Sequence, residues 1–135
     1  MKVLLIKPKA RLKTIQGLHR FTMLEPLELA YLAAAAGPRH AVRILDLRLE
    51  RRPQPAMARV VAEMQPDVVG ISAYSHEGST AKALATIVRR AAPGAFVVVG
   101  GHHATVAPED LDVPAIDAIV RGEGCAPFAA ILAAL

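Results

Sequence analysis

Residues 96–105 read Phe-Val-Val-Val-Gly-Gly-His-His-Ala-Thr, an apolar run that drives straight into two glycines and two histidines. Gly100 and Gly101 carry no side chain, so another molecule's surface can approach the backbone there, and His102 and His103 offer polar groups beside it. A tight bend between a strand and a loop is the ordinary alternative. Residues 72–80, Ser-Ala-Tyr-Ser-His-Glu-Gly-Ser-Thr, combine hydroxyls, an imidazole and the free N–H groups of a helix start, a set suited to a phosphate or an amide-rich ligand. Within it Ser72, Ala73, Tyr74, Ser75, His76 and Glu77 are binding candidates, with a plain helix cap as the competing reading. Gly122, Glu123 and Gly124 form either an anion nest or a tight turn. Adjacent histidines in an extended chain point to opposite sides, which argues against a metal site shared by His102 and His103. Cys125 stands alone, cannot form an internal disulfide or hold a cluster, and reads as a small buried residue.

These residues need a scaffold, and the hydrophobic pattern supplies one. Short apolar runs at 2–7, 42–47, 67–72, 95–100 and 117–121 read as strands, and their near-continuous Val, Ile and Leu content points to a parallel sheet covered on both faces. Helical patterns lie between them: one over 25–36 ended by Gly37-Pro38, and one with Met57, Val60, Val61 and Met64 at helical spacing. A third is capped by Ser79 or Thr80 and has Ala81, Leu84, Ala85 and Val88 as its apolar stripe, with Lys82, Arg89 and Arg90 facing water. A last helix begins after Gly124, places Phe128, Ile131, Leu132 and Leu135 on one face, and is still running at the final residue, as expected of the N-terminal part of a longer protein. The expected fold is α/β, a doubly wound, five-stranded parallel sheet flanked by helices in the flavodoxin-like order 2-1-3-4-5. In that architecture the loops after strands one, three, four and five meet at the carboxyl rim, where ligands bind. Pro8 and Lys9 open the first of these loops, which extends to residue 24.

Composition narrows the function classes. A chain of 135 residues is one domain's worth. Residues 1–24 carry Lys2, Lys7, Lys9, Arg11, Lys13 and Arg20 and no acid, whereas from residue 101 onward only Arg121 opposes five acids. That basic start suits an anionic ligand or an acidic partner; nucleic acid is not expected, because aromatic residues are few and scattered. The apolar part of the N-terminus spans only four residues, Val3 to Ile6, so neither a signal peptide nor a membrane span is expected, and with one cysteine a cytoplasmic setting is the default. No Gly-x-Gly-x-x-Gly follows the first strand, where Pro8-Lys9-Ala10-Arg11 stands, and no phosphate-cradling Gly-Lys-Ser/Thr loop is present. Ser72 stands where a phosphate-accepting receiver domain needs a carboxylate.

The chain resembles the cobalamin (vitamin B12)-binding domain at the N-terminus of B12-dependent radical SAM enzymes. The resemblance runs through Val-Leu-Leu-Ile-Lys-Pro at 3–8, the helix opening Glu25-Pro26-Leu27, Asp-Val-Val-Gly-Ile-Ser at 67–72, Gly-Gly-His-His-Ala-Thr at 100–105, and Ile-Val-Arg-Gly-Glu-Gly at 119–124, followed by Pro127-Phe128. It implies that the cofactor's nucleotide tail enters beside Ser72 and lies over Gly100 and Gly101. It also implies a partner radical SAM catalytic domain, in cis or trans, with a 4Fe-4S cluster and S-adenosylmethionine for methyl transfer or a related reaction. B12 domains of the methionine synthase kind carry Asp-x-His-x-x-Gly after the first strand; Lys7-Pro8-Lys9-Ala10-Arg11-Leu12 has neither the acid nor the histidine in place. Cobalamin is therefore expected base-off without a histidine lower ligand, His76 being the outside candidate for reaching the corrin. The usual second Glu after Gly-Glu-Gly is Cys125 here. A stand-alone cobalamin carrier and a flavodoxin-type small-molecule module are the competing readings.

Overall fold

The computed structural model describes residues 1–9 and 25–135, so the basic loop expected over 10–24 lies outside the described residues. Five parallel strands, β1 (Lys2–Lys7), β2 (Ala41–Asp46), β3 (Val68–Ser72), β4 (Phe96–Gly100) and β5 (Ala118–Ile119), lie in the order β2-β1-β3-β4-β5. The expected doubly wound order is therefore present. Helices α1 (Leu27–Ala36) and α5 (Cys125–Ala134) cover one face, and α2 (Pro53–Met64) and α3 (Gly78–Ala91) the other.

The pleat sorts the apolar strands into two cores, because successive side chains point to opposite faces. Leu4, Ile6, Val69, Ile71, Val97 and Val99 pack with Met57, Val61, Leu84 and Val88 beneath α2 and α3. Val3, Leu5, Val68 and Val98 pack with Leu29, Phe128 and Leu132 beneath α1 and α5. Each fully buried Leu or Ile stabilises the fold by roughly 1.5–3 kcal/mol.

Local chemistry moved several boundaries. β2 stops at Asp46, one residue before the expected end, because the Asp46 carboxylate accepts the Arg48 N–H at 3.0 Å and starts a 3-10 turn at Leu47. β5 is only two residues long: the Asp117 carboxylate instead accepts the Val97 N–H at 2.7 Å and an Arg89 N–H at 2.6 Å. Neither Ser79 nor Thr80 caps α3. The helix starts at Gly78, straight from a 3-10 turn at Ser75–Glu77, and has no side-chain cap. Its stripe of Ala81, Leu84, Ala85 and Val88 is buried as expected, but Lys82 and Arg89 are half-buried and paired with Asp110 and Asp117. In α5, Phe128 and Leu132 are buried, whereas Leu135 lies past the helix end and is exposed. The segment after Gly101 is a short helix, α4 (His102–Val106), and not an extended loop. No helix among the described residues is long and apolar enough to cross a membrane.

Candidate functional site

At the carboxyl ends of β3, β4 and β5 a cavity of about 370 Å³ opens beneath α1 and α5. Strand register explains it. Gly70 pairs with Val98 and Ser72 with Gly100, so Gly70, Ser72 and Gly100 fall on one face of adjacent central strands, the face that α1 and α5 cover. Two of these residues have no side chain and the third has a short one. At Gly70 the space is taken up by Leu5, whose Cδ2 lies 2.8 Å from where a Cβ would stand, and by Phe128 at 3.7 Å, so the side-chain layer thins and the cavity opens at Ser72 and Gly100. Leu32, Val98, Val120 and Phe128 complete apolar walls, while Glu28, Tyr31, Gly122, Glu123, Gly124 and Cys125 ring the remainder.

The two adjacent glycines differ. A Cβ on Gly100 would meet only Val120 at 3.7 Å, ordinary contact, so this position has room and faces the cavity. Gly101 has φ +98°, and a Cβ there would lie 2.8 Å from the Ala73 carbonyl oxygen and 3.1 Å from Ser72 Oγ. Its missing side chain is demanded by the protein's own backbone. The Ala73 N–H donates to the Gly100 carbonyl and the His103 N–H to the Ala73 carbonyl, both at 3.0 Å, which ties the ends of β3 and β4 together. Thr105 extends the tie. Its hydroxyl donates to the Gly101 carbonyl at 3.0 Å and accepts the Gly122 N–H at 2.9 Å, fixing the loop after β4 to the loop after β5.

The nest reading of residues 122–124 gives way to a turn with its own anion. Gly122 has φ +72°, and the Glu123 carboxylate accepts the Cys125 N–H at 2.6 Å and the Ala126 N–H at 3.4 Å, occupying the start of α5. Those N–H groups hold the Glu123 carboxyl below the usual carboxylate range. Hydrogen bonding to the same carboxylate pushes the Cys125 thiol up, with burial and then the carboxylate's charge adding to it. Cys125 is half-buried and lines the cavity.

The loop after β3 is also more self-satisfied than its composition suggests. Glu77 is buried; its carboxylate accepts the Tyr74 N–H at 2.8 Å and pairs with Lys7 Nζ at 3.4 Å. Lys7, buried at the tip of β1, pairs also with Glu28 Oε1 at 3.3 Å and sits 4.2 Å from the Tyr74 ring centroid. One ammonium thus holds α1 and the β3 loop in register, its desolvation offset by two carboxylates and a ring face. Tyr74 and His76 are exposed, their rings parallel within 5° at 6.0 Å, and Ser75 beside them is exposed too.

Among the residues singled out from sequence, Ser72, Gly100, Gly101, Gly122, Glu123 and Gly124 meet at the cavity. Ala73 and Glu77 are buried supports. Pro8 is buried, and Lys9 reaches away to the Glu50 carbonyl at 2.7 Å. His102 is exposed on α4; His103 is buried, with Nε2 2.9 Å from an Asp110 carboxylate oxygen and its ring against Gly78. Neither histidine lines the cavity. Sequence reasoning did not single out Glu28, Tyr31 and Leu32 of α1, nor Gly70, Val98, Val120 and Phe128. Gly70 had a readable signal: a glycine inside a buried strand, two residues before Ser72 and so on the same face.

A family model described as B12 binding domain matches residues 16–132. An uncharacterized methyltransferase of Pyrococcus horikoshii is 37% identical over 139 aligned residues, which cover all of this chain; the chain spans 29% of that relative's length.

Proposed function

Because the chain belongs to the B12-binding domain family, we propose that it holds cobalamin base-off, with the nucleotide tail in the cavity beneath α1 and α5, for a methyltransferase or related radical SAM enzyme. The observation that carries this reading is the pairing of Ser72 with Gly100 on one face of β3 and β4, which leaves a slot with apolar walls at the carboxyl rim. Ligands of doubly wound sheets bind at that rim, in pockets of this size range. The residues present fit the group: Leu32, Val98, Val120 and Phe128 can cover a flat aromatic base, and Ser72 offers a hydroxyl beside it.

When bound, cobalamin supplies a cobalt that carries a methyl group. The chain's own work is to bind and orient. Gly100 leaves the slot open, Thr105 fixes its rim, and Lys7 holds Glu28 and the loop of Tyr74 in place. After β1, where B12 domains of the methionine synthase kind carry a cobalt-ligating histidine, this chain has Lys7, Pro8 and Lys9. His103 is engaged with Asp110 and buried, which removes it as a cobalt ligand, and His76, the outside candidate, is exposed with its ring stacked on Tyr74. In the whole protein the chain would serve as the N-terminal domain, with the 4Fe-4S cluster and S-adenosylmethionine held by a catalytic domain in cis or trans. The methyltransferase relative, of which this chain spans 29%, supports a further catalytic part beside the cobalamin-binding domain. Electron paramagnetic resonance of the Co(II) form bound to this chain tests the ligation. No histidine-nitrogen splitting is expected, and its presence would refute the base-off reading without histidine.

A further inference from the structure

A second cavity, of about 400 Å³, lies on the opposite side of the sheet from the slot under Gly100. Its floor is formed by Leu47 and Leu84, which belong to the core beneath α2 and α3. The rim is cationic. Lys9 from the loop after β1 and Arg51 and Arg52 from the turn before α2 border it, Gln54 and Thr80 add an amide and a hydroxyl, and no carboxylate lines it. Lys9 Nζ donates to the Glu50 carbonyl at 2.7 Å, which fastens the loop to the turn that carries both arginines. Among the described residues Arg51 and Arg52 have no acidic partner, the nearby Asp46 being taken by Arg48 at 2.6 Å. The side chains of Gln54 and Thr80 are likewise without a hydrogen-bond partner among those residues. Residues 10–24, which follow Lys9, contain no acid.

Three cations held around one hollow repel each other, and without carboxylates beside them their counter-charge is left for a ligand to supply. We propose that this cavity is a second binding site, for the phosphate or diphosphate group of a small molecule. Guanidinium groups match phosphate oxygens in bidentate pairs, and the lysine adds a point charge. A diphosphate has enough oxygens to engage all three cations together with the Thr80 hydroxyl and the Gln54 amide. The volume is within the range of small-molecule sites. The inference goes beyond the cobalamin reading and does not rest on it, since the two cavities share no lining residue.

The test is a calorimetric titration of the chain with inorganic pyrophosphate, with and without cobalamin present. Binding at one site is expected, unaffected by cobalamin and weakened about tenfold or more when Arg51→Gln and Arg52→Gln are combined. Both arginines are exposed, so the double variant is expected to melt where wild type does and to keep cobalamin, as read from its visible spectrum. Arg90→Gln, which removes an exposed cation of α3 outside this cavity, is expected to leave pyrophosphate binding unchanged. Pyrophosphate binding as tight in the double variant as in wild type, an equal loss in Arg90→Gln, or no binding by wild type would overturn the site. Displacement of pyrophosphate by cobalamin, or a folded double variant that loses cobalamin as well, would overturn its separateness from the slot.

Discussion

Gly100 and Gly101 are neighbours in sequence and opposites in role. At Gly100 a side chain finds space, and that space is the cavity; at Gly101 it finds the Ala73 backbone and a positive φ. Gly100→Val is therefore expected to lower cobalamin retention while leaving the melting temperature within a few degrees of wild type. Gly101→Val is expected to destabilise the fold by roughly 1–3 kcal/mol or more, since a β-branched residue is strained at φ +98°. Urea unfolding of the two variants beside a cobalamin titration checks both outcomes. A Gly100→Val chain that binds as tightly as wild type would remove this position from the site. The sequence made the glycine pair visible but could not divide its labour, because a ligand's approach and a backbone's approach both select for glycine.

Elements were legible where periodicity and burial agree. The buried faces of α2 and α3, centred on Met57, Val60, Val61, Leu84 and Val88, follow the 3.6-residue pattern, and both are buried as it requires. Misreadings came where a side chain competes with the backbone ladder or where a helix is too short for a pattern. Asp46 and Asp117 each draw backbone N–H groups to their carboxylates and so shorten β2 and β5. The segment His102–Val106 is a single helical turn and a half, and its histidines looked like loop ligands. In the structure His103 joins elements instead: Asp110 bridges it to Lys82, linking α3, α4 and the turn at Pro108–Leu111. Hydrogen bonds from Lys82 and then His103 hold the Asp110 carboxyl below its ordinary value of 3.8. A carboxylate depressed in the folded state contributes stability above its unfolded pKa, and loses that contribution as pH falls through the folded value. Asp110→Asn is thus expected to be less stable than wild type near pH 6, with the gap closing as pH drops below about 4. A gap that stays constant across that range in urea titrations would contradict this role for Asp110.

For the molecule as a whole, the alternation of strands and helices was enough to give the sheet order, and the order was enough to bring the loops after β3, β4 and β5 to one rim. The remaining walls were not legible in the same way. Which face of the sheet holds the cavity depends on the register that sets Gly70 opposite Val98 and Ser72 opposite Gly100, and on how α1 and α5 pack across it. No local pattern in the chain encodes that packing, so Glu28, Tyr31, Leu32 and Phe128 emerged only in three dimensions. The most direct measurement is the visible spectrum of the purified chain after desalting from excess hydroxocobalamin, and separately from excess flavin mononucleotide. Protein that keeps the corrinoid colour, with the spectrum of base-off cobalamin and no retained flavin, is the expected result. A chain that emerges colourless from cobalamin, or keeps flavin instead, would contradict cobalamin as the ligand of the cavity under Gly100.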